Sequence, residues 1–325
     1  MNKKPGNRQK DTNPFPYSDS NKRYYTYDYW LKKTFGGKCA RIPLDAGFSC
    51  PNIDGRCSVG GCIYCSPRGS GDFAGDAALP IAVQYERERR RLSAKWSTER
   101  TIPYFQAHTN TYAPLSVLQE KFDEALRFDG AVGLAIATRA DCLPDDIVRY
   151  LGGLADKTVL CVELGLQTAS DRTAALINRG HTFADFCDGY RKLRDISDKI
   201  QVCVHIIFGL PGETEADMLD TVRAVAALKP NQIKIHLLHV LRGTVLAGMS
   251  LRAENQPMKR EDYIRTVGEA LMLLPPDTVI CRLTGDGKGS DLLAPDWSRD
   301  KRSVLNDIDK WLYTQDAWQG KNYDG

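Results

Sequence analysis

Short apolar segments alternate with segments of helical periodicity along most of the chain, and this alternation restricts the possible folds more than any other feature. The predicted strands are rich in Val, Ile, Leu or Phe and end near Gly, Pro, Asn or Asp. They lie at about 39–48, 101–108, 131–138, 158–166, 200–208, 232–240 and 278–284. Helices are predicted at 115–128, 145–154, 183–196, 215–228, 259–274 and 303–313.

Strands that alternate with helices pair in parallel, so the chain is predicted to be an α/β protein. The order of elements leaves two arrangements open. A series that closes gives a full or partial barrel, and a series that stays open gives a doubly wound sheet. In both arrangements the ligand site lies at the carboxyl ends of the strands.

Composition adds few restrictions. The 325 residues are 42% hydrophobic and 26% charged, which suits one large barrel or two ordinary domains. No run of 18 apolar residues occurs, and the first 20 residues lack the apolar centre of a secretory signal. We therefore expect a cytoplasmic protein with no membrane partner. The net charge of +3 neither requires nor excludes a nucleic-acid partner.

The amino-terminal segment divides into two parts. Residues 1–22 are polar and carry Lys3, Lys4, Arg8 and Lys10, so they are predicted to be a disordered basic tail. The aromatic residues 24–30 that follow predict a helix packed on the main body. There is no internal repeat or long linker, which predicts one catalytic domain with terminal extensions.

Four of the ten cysteines lie within one short loop after the first predicted strand: Cys50, Cys57, Cys62 and Cys65. Soft thiolates favour iron–sulfur clusters or zinc. A structural zinc site usually pairs two Cys-x-x-Cys knuckles, and only Cys62 and Cys65 form one. Three ligands would leave one iron of a cubane open to a substrate or cosubstrate. The spacing slightly favours a cluster over zinc and leaves both open.

The loop also resembles a known family. Radical S-adenosylmethionine (SAM) enzymes carry three cysteines after their first barrel strand, commonly Cys-x3-Cys-x2-Cys with an aromatic residue before the last, and Tyr64 fits that position. The longer first gap, Cys50-x11-Cys62-x2-Cys65, resembles the YhcC-like radical SAM family, as do residues 45–48, 105–112, 209–213 and 282–286.

This resemblance runs from about Arg23 to Gly320, but it is not complete. Ile53 stands where the family usually has Arg, Ala140 stands where it has Pro, and Cys57 is additional.

The resemblance implies a partial (β/α)6-type barrel over residues 23–285, with residues 286–325 as a helical extension packed on it. It implies that Cys50, Cys62 and Cys65 ligate a [4Fe–4S] cluster and leaves Cys57 as a loop thiol without an assigned role. It further implies that the enzyme binds SAM, cleaves it to a 5′-deoxyadenosyl radical, and takes its electron from a flavodoxin or ferredoxin.

Polar residues near the predicted strand ends are candidates for binding SAM. Gln167 and Arg179 resemble the Gln and Arg that contact SAM in oxygen-independent coproporphyrinogen oxidases and in the Elongator catalytic subunit. An Arg also suits a carboxylate, which it binds with two parallel hydrogen bonds. The alternative is an ordinary surface Arg in a helix cap. Further candidates are Glu163, His205, Thr138, Arg139 and Asn110.

Two of these candidates have specific alternatives. Glu163 lies in an apolar strand, where an unpaired carboxylate is costly, so it either faces a ligand or pairs with a nearby Arg. His205 resembles in position a ribose-contacting Asp of the coproporphyrinogen oxidases, or it is a core histidine. His236 and His239 are an odd number of residues apart, which predicts that they face opposite sides of their strand and form no metal pair.

The substrate is the least constrained part of the prediction, and no residue is assigned to act on it. The Elongator-like features suggest the side chain of a modified wobble uridine in tRNA. Arg87, Arg89, Arg90 and Arg91 could contact phosphates, or they could form a solvated helix face with the glutamates among them. Tyr64 or Tyr112 could stack on a base. The alternatives are a small-molecule or protein substrate, or a zinc-stabilised nucleic-acid-binding protein without redox chemistry.

Overall fold

The computed structural model describes residues 13–69, 71–252, 256–285 and 289–325, and seven parallel strands form its central sheet in the order β1-β2-β3-β4-β5-β6-β8. The sheet curls into a half-barrel, and β7 and β9 form a separate antiparallel pair. The strands are β1 Ala40–Leu44, β2 Thr101–Phe105, β3 Gly133–Thr138, β4 Val159–Gln167, β5 Gln201–Phe208, β6 Gln232–Leu237, β7 Val240–Leu241, β8 Val279–Arg282 and β9 Leu292–Ala294. The α/β prediction is confirmed, and each predicted strand of the central sheet is present.

Helices follow most of the strands and cover the outer face of the sheet. They are α1 Tyr27–Phe35, α2 Ile81–Ser93, α3 Leu115–Ala125, α4 Asp145–Ala155, α5 Asp171–Leu176, α6 Phe183–Ile196, α7 Glu215–Ala227, α8 Val245–Leu251, α9 Arg260–Leu273 and α10 Lys301–Thr314. Helices α6 and α7 begin with capping boxes, in which Thr182 pairs with Asp185 and Thr214 with Asp217. The apolar periodicity of the sequence did not predict α2, because arginine and glutamate make up much of this helix.

Strand β5 shows why the sequences of the strands are almost entirely apolar. Val202, Val204 and Ile206 are fully buried against the outer helices, and Cys203 is fully buried on the inner face. A parallel sheet that is covered on both faces has no solvent-facing side that would require polar residues at alternate positions.

The half-barrel is open at the side and closed at its lower end. Among the described residues, β1 and β8 form the two edges of the sheet and do not pair with each other. Helix α1 closes the amino-terminal end of the barrel: Leu31 packs into a cluster with Ile102, Tyr104 and Cys161 on the inner face of the strands. Access to the interior is therefore from the carboxyl ends of the strands and from the open side.

The prediction of a disordered tail over residues 1–22 is wrong for the part that the structure describes. Residues 1–12 lie outside the described residues. In the remainder, Phe15 is only 3% exposed, and the side-chain amide of Asn13 donates to the carbonyl oxygen of Lys22 at 2.6 Å. Lys22 forms an ion pair with Asp309 on α10. The burial of Phe15 and these polar contacts attach residues 13–22 to the rest of the protein, although their composition predicts disorder.

At the other end of the chain, α10 packs on α9 in the region predicted as a helical extension, residues 286–288 of which lie outside the described residues. The side chain of Gln319 donates to the carbonyl oxygens of Pro275 at 2.6 Å and Thr278 at 2.7 Å and accepts from the backbone of Tyr25 at 2.8 Å. Within the described parts of the chain, no helix is both long and apolar enough to cross a membrane.

Candidate active site

The carboxyl ends of the central strands surround a cavity of about 250 Å³. Residues from six of the seven strands and from the loops that follow them line it. The cavity brings together most of the predicted site residues, namely Cys50, Cys62, Cys65, Thr138, Arg139, Glu163, Gln167, Arg179 and His205.

The long sequence gap between Cys50 and Cys62 is largely taken up by a loop that folds back on itself. Residues 53–60 form a small excursion that is pinned by an antiparallel bridge between Asp54 and Val59. At its base the backbone N–H of Gly61 donates to the carbonyl oxygen of Asn52 at 2.8 Å. Without the excursion, only Pro51, Asn52 and Gly61 would separate Cys50 from Cys62. The fold thus restores the Cys-x3-Cys-x2-Cys spacing that the sequence lacks.

Asn178 attaches this excursion to the loop between α5 and α6. Its side-chain amide donates to the carbonyl oxygens of Val59 at 3.1 Å and Gly61 at 2.7 Å, and it accepts from the hydroxyl of Ser58 at 2.7 Å. In return, the fully buried amide of Asn52 donates to the carbonyl oxygen of Asn178 at 2.5 Å and contacts the sulfur of Cys62 at 3.5 Å. The cysteine loop and the segment that carries Arg179 are therefore one connected unit.

Cys57 lies outside the cavity. Its thiol is exposed and is 3.7 Å from a carboxylate oxygen of Asp141. Partial burial and the negative charge of Asp141 raise the pKa of Cys57, which disfavours the thiolate that a metal requires. The structure therefore separates Cys57 from the three other thiols of the loop.

The three cavity thiols do not all lie within 4.8 Å of one another. Four ligands on one tetrahedral zinc lie about 3.8 Å apart, because each Zn–S bond is about 2.3 Å. Among the described residues, the one set of three ligand atoms within 4.8 Å of one another is Glu163, Cys203 and His205, which contains none of these cysteines. Wider spacing is expected of thiolates that bind separate irons of a cluster.

We predict that deleting residues 53–60 leaves the iron content of the reconstituted protein at about four per chain, because the deletion joins two residues that are already hydrogen-bonded. The matched control deletes residues 51–58, which leaves the same cysteine spacing but removes Asn52 and its contacts with Asn178 and Cys62. Iron and acid-labile sulfide analysis should show a full cluster in the first variant and a reduced content in the second. Loss of iron from the first variant would contradict this interpretation of the loop.

Gln167 and Arg179 meet over Gly165 at the end of β4. Gln167 has a φ of 79°, which is unusual for a residue with a side chain, and it follows an irregularity in the pairing of β4 with β5. A Cβ atom on Gly165 would lie 2.7 Å from the Gln167 amide nitrogen and 3.0 Å from a guanidinium nitrogen of Arg179. The absence of a side chain at Gly165 therefore lets both groups approach the cavity.

The guanidinium of Arg179 is only partly satisfied. One of its terminal nitrogens donates to the carbonyl oxygen of Gly165, while the buried Nε has no hydrogen-bond partner. An unpaired donor in a buried arginine that lines a cavity suits an acceptor on a ligand, such as the carboxylate of SAM. The residues present therefore fit both the cluster and SAM.

Arg139 and Thr138 support this arrangement from β3. Arg139 pairs with both carboxylate oxygens of Asp141, at 2.9 and 2.8 Å, and donates to the backbone carbonyl of Arg179 at 2.9 Å. The hydroxyl of Thr138 lies 2.5 Å from that of Thr111. Both side chains are largely occupied by the protein, so their role at the cavity wall is to hold neighbouring groups in place.

Glu163 forms the centre of the cavity floor. Its carboxylate accepts from Arg41 at 2.5 Å, Lys234 at 2.5 Å and Tyr104 at 2.6 Å, and it lies 3.0 Å from the Nε2 of His205. Burial acts to raise the pKa of Glu163, but the positive charges of Arg41 and Lys234 outweigh it and hold that pKa well below the usual range. The alternative of a pair with a nearby Arg is therefore observed for Glu163, which also lines the cavity.

The sequence analysis missed Arg41, Tyr104 and Lys234, which share this floor. Each lies in an apolar strand, and a polar residue inside such a strand was the available signal. The prediction that His236 and His239 face opposite sides is wrong, because β6 ends at Leu237 and the chain turns before His239. Both histidines line the cavity.

Asn110 does not line the cavity. It is fully buried, and its amide donates to the backbone carbonyls of Phe105, Ala107 and Ala137 at 3.1, 3.0 and 2.8 Å. These bonds tie the loop after β2 to β3. The prediction of a ligand contact for Asn110 is not supported, because its donors are used within the backbone framework.

The arginines predicted to contact phosphates do not line the cavity. Helix α2 runs back from the carboxyl ends of the strands, and Arg89 pairs with Asp129, just before β3 begins, at 3.0 Å. Arg91 pairs with Glu88 at 2.6 Å on the same helix. The pairing of Arg89 and Arg91 with acidic residues matches a solvated helix face, and Arg89 lies near the amino end of β3.

A parallel half-barrel with three thiols and a partly satisfied arginine at its carboxyl edge has the architecture of a radical SAM enzyme. The sequence model of the Radical SAM superfamily matches residues 52–225, and that of the Radical_SAM C-terminal domain matches residues 230–314. The chain belongs to the radical SAM superfamily and, within it, to the YhcC-like family. It is an enzyme that uses a [4Fe–4S] cluster and SAM, so the zinc-binding alternative is not supported.

Similar proteins extend over nearly the whole chain. YtqA of Bacillus subtilis is 47% identical over 309 residues and covers 95% of both chains. YhcC of Escherichia coli is 34% identical over 87% of this chain and 90% of its own. A tRNA uridine(34) acetyltransferase of Methanocaldococcus jannaschii is 31% identical over 44% of this chain and 26% of its own. The solved structure of Elp3 from Methanocaldococcus infernus shares the fold, with a TM-score of 0.64 at 16% identity over 86% of this chain and 64% of that one.

Proposed function

We propose that Cys50, Cys62 and Cys65 ligate the cluster, that Arg179 and Gln167 bind SAM, and that the substrate is a tRNA wobble uridine which already carries a side chain. The observation that carries the first two parts is the convergence of these thiols and side chains on one cavity at the carboxyl edge of the sheet. The third part is supported by the shape of the half-barrel and by the acetyltransferase named above.

The bound cluster supplies one electron that cleaves SAM to methionine and a 5′-deoxyadenosyl radical, which can abstract hydrogen from an unactivated C–H bond. The protein contributes binding and orientation. We propose that the unpaired Nε of Arg179 donates to the SAM carboxylate and that the Gln167 amide provides a further hydrogen bond beside it. His205 is proposed to lie near the ribose. The electron is proposed to come from a flavodoxin or ferredoxin.

The apolar packing of α1 against the lower end of the strands excludes water from below. This protection matters because a carbon radical in contact with water or stray donors would be lost to side reactions. The groups proposed to bind SAM therefore lie between the amino-terminal end of the barrel, which α1 closes, and the open carboxyl ends of the strands.

An RNA substrate is compatible with the geometry of the opening. Since β1 and β8 are separate edges in the described structure, the cavity is open at the side as well as at the top. An anticodon loop is single-stranded, and turning one of its bases outward costs only a few kcal/mol. Tyr64 lines the cavity and could stack on such a base. Tyr112 does not line the cavity, and its ring centroid lies 5.8 Å from the guanidinium carbon of Arg56.

The test is a comparison of tRNA nucleosides by mass spectrometry in cells with and without the gene. We expect one modified wobble uridine to disappear and its precursor to accumulate. The parent gene should restore the profile, and a Cys62→Ala copy should not. An unchanged profile would leave the radical SAM assignment intact and point to a small-molecule or protein substrate.

A further inference from the structure

One end of the cavity is used neither by the cysteine loop nor by the groups proposed to bind SAM. We call it the far end and define it by Lys234, His236, His239 and Arg282, which all line the cavity. Lys234 lies on β6 beside Arg282 on β8 in the strand register, and His205 on β5 lies on its other side. Positive side chains therefore stand next to each other at this end.

The charges around Lys234 are not balanced. Arg41 and Lys234 both pair with the same carboxylate, that of Glu163, and the Lys234 side chain is only 6% exposed. One carboxylate compensates one cation, so one unit of positive charge remains in this buried group. An uncompensated buried charge is costly, and a ligand that brings a single negative charge would offset it.

Acidic side chains are few among the described residues of the cavity. Among the described residues that line it, the acids are Glu163 and Asp72. Asp72 accepts from the hydroxyl of Ser66 at 3.0 Å, next to Cys65 on the other side of the cavity. Among the described residues that line the cavity, Glu163 is thus the one carboxylate that pairs with Lys234.

His236 and His239 at the far end can contact the part of a ligand that carries no charge. Burial lowers the pKa of His239 to about 4, with Lys301 and Arg282 adding to the effect, and its buried Nε2 has no hydrogen-bond partner among the described residues. Burial, with His205 and Arg282, likewise holds the pKa of His236 well below its usual range. Neutral imidazoles beside Leu238 can hydrogen-bond and pack against a ligand without repelling a nearby cation.

We propose that the far end is the substrate subsite and that it binds a carboxylate group of the substrate through Lys234, with Arg282 alongside. This inference rests on the proposed function, since it assumes that SAM occupies the side of Gln167 and Arg179. It adds that the side chain of the target nucleoside ends in a carboxylate. A monoanion matches the one positive charge left by the group of Arg41, Lys234 and Glu163 better than a phosphate dianion does.

Two pairs of probes test the subsite on the reconstituted enzyme with SAM bound. The first pair is two uridines with 5-substituents of equal length, one ending in a carboxylate and the other in a carboxamide. The second pair is N-acetylglycine and N-acetylglycinamide, which contain no nucleoside. Binding is followed by ligand-observed NMR under anaerobic conditions. We expect each carboxylate to bind at least tenfold more tightly than its amide.

In the Lys234→Gln variant this preference should fall to about one, whereas Lys234→Arg should keep most of it. The matched control is Lys199→Gln, since Lys199 is an exposed lysine paired with Asp156 outside the cavity and its loss should not change the preference. Iron content shows that each variant is folded and loaded.

The outcomes separate the two proposals. A preference in the second pair alone would support the subsite and argue against the uridine substrate. The absence of a preference in both pairs with the parent enzyme would overturn the subsite, as would an unchanged preference in a loaded Lys234→Gln variant. Neither of these results would bear on the tRNA nucleoside profile.

Discussion

Replacing Cys50, Cys62 or Cys65 by alanine is expected to abolish the [4Fe–4S] cluster, while Cys57→Ala keeps it. The parent should bind about four iron per chain after anaerobic reconstitution, and each of the three variants less than about one. The effect is large because a cubane with three protein ligands and one open iron loses a third of its attachment with each cysteine. Iron and sulfide analysis with the visible absorption spectrum measures it.

Cys57→Ala is the matched control, because Cys57 belongs to the same loop but its thiol faces Asp141 outside the cavity. Loss of the cluster in Cys57→Ala would overturn the ligand assignment. Retention of the cluster in Cys50→Ala, Cys62→Ala or Cys65→Ala would overturn the assignment of the replaced cysteine as a ligand. Stoichiometric zinc in place of iron would contradict the proposed cluster site altogether.

Arg179→Ala is expected to weaken SAM binding by more than tenfold while leaving the cluster in place. A hydrogen bond to a charged group contributes about 1.5–3 kcal/mol, which corresponds to a factor of ten or more in affinity. Gln167→Ala should weaken binding less, because a neutral amide contributes a weaker bond. Equilibrium dialysis with SAM, and the change that SAM produces in the spectrum of the reduced cluster, would measure both variants.

Gly165→Ala provides a more specific test of the same geometry. The added Cβ would meet the ends of two flexible side chains, those of Gln167 and Arg179, so the fold should tolerate it while both groups move. We expect weaker SAM binding with a normal iron content. The control is Gly153→Ala on α4, where a Cβ would meet nothing within 4 Å. Tight SAM binding by both Arg179→Ala and Gly165→Ala would show that SAM lies elsewhere.

The strand-and-helix pattern and the cysteine ligands could be predicted because their signals are local. A strand covered on both faces is mostly apolar, as Val202 to Phe208 are apart from His205, and a helix must repeat its apolar residues every three or four positions. The spacing of Cys62 and Cys65 and the aromatic Tyr64 between them are equally local. These features follow from short-range sterics and burial, so they can be recognised before any tertiary contact is known.

The roles of individual polar residues were decided by contacts between distant parts of the chain. Asn110 looks like a ligand residue in the sequence, but the neighbouring strand ends supply carbonyls that use all its donor contacts. The arginines of α2 look like a phosphate site, but the return direction of the helix carries Arg89 to Asp129, near the amino end of β3. Only the three-dimensional path of the backbone determines which edge of the sheet such residues reach.

The sequence by itself determined the α/β class, the succession of strands and helices along the chain, and the loop that carries the three thiols. The tertiary structure alone decided that residues 53–60 fold out to restore the short cysteine spacing, since the bond that closes them depends on Asn52 meeting Gly61. It also decided that Glu163 gathers Arg41 and Lys234 from strands far apart in the chain. Periodicity records which faces are buried, whereas charge pairing inside a barrel depends on which strands become neighbours when the sheet curls.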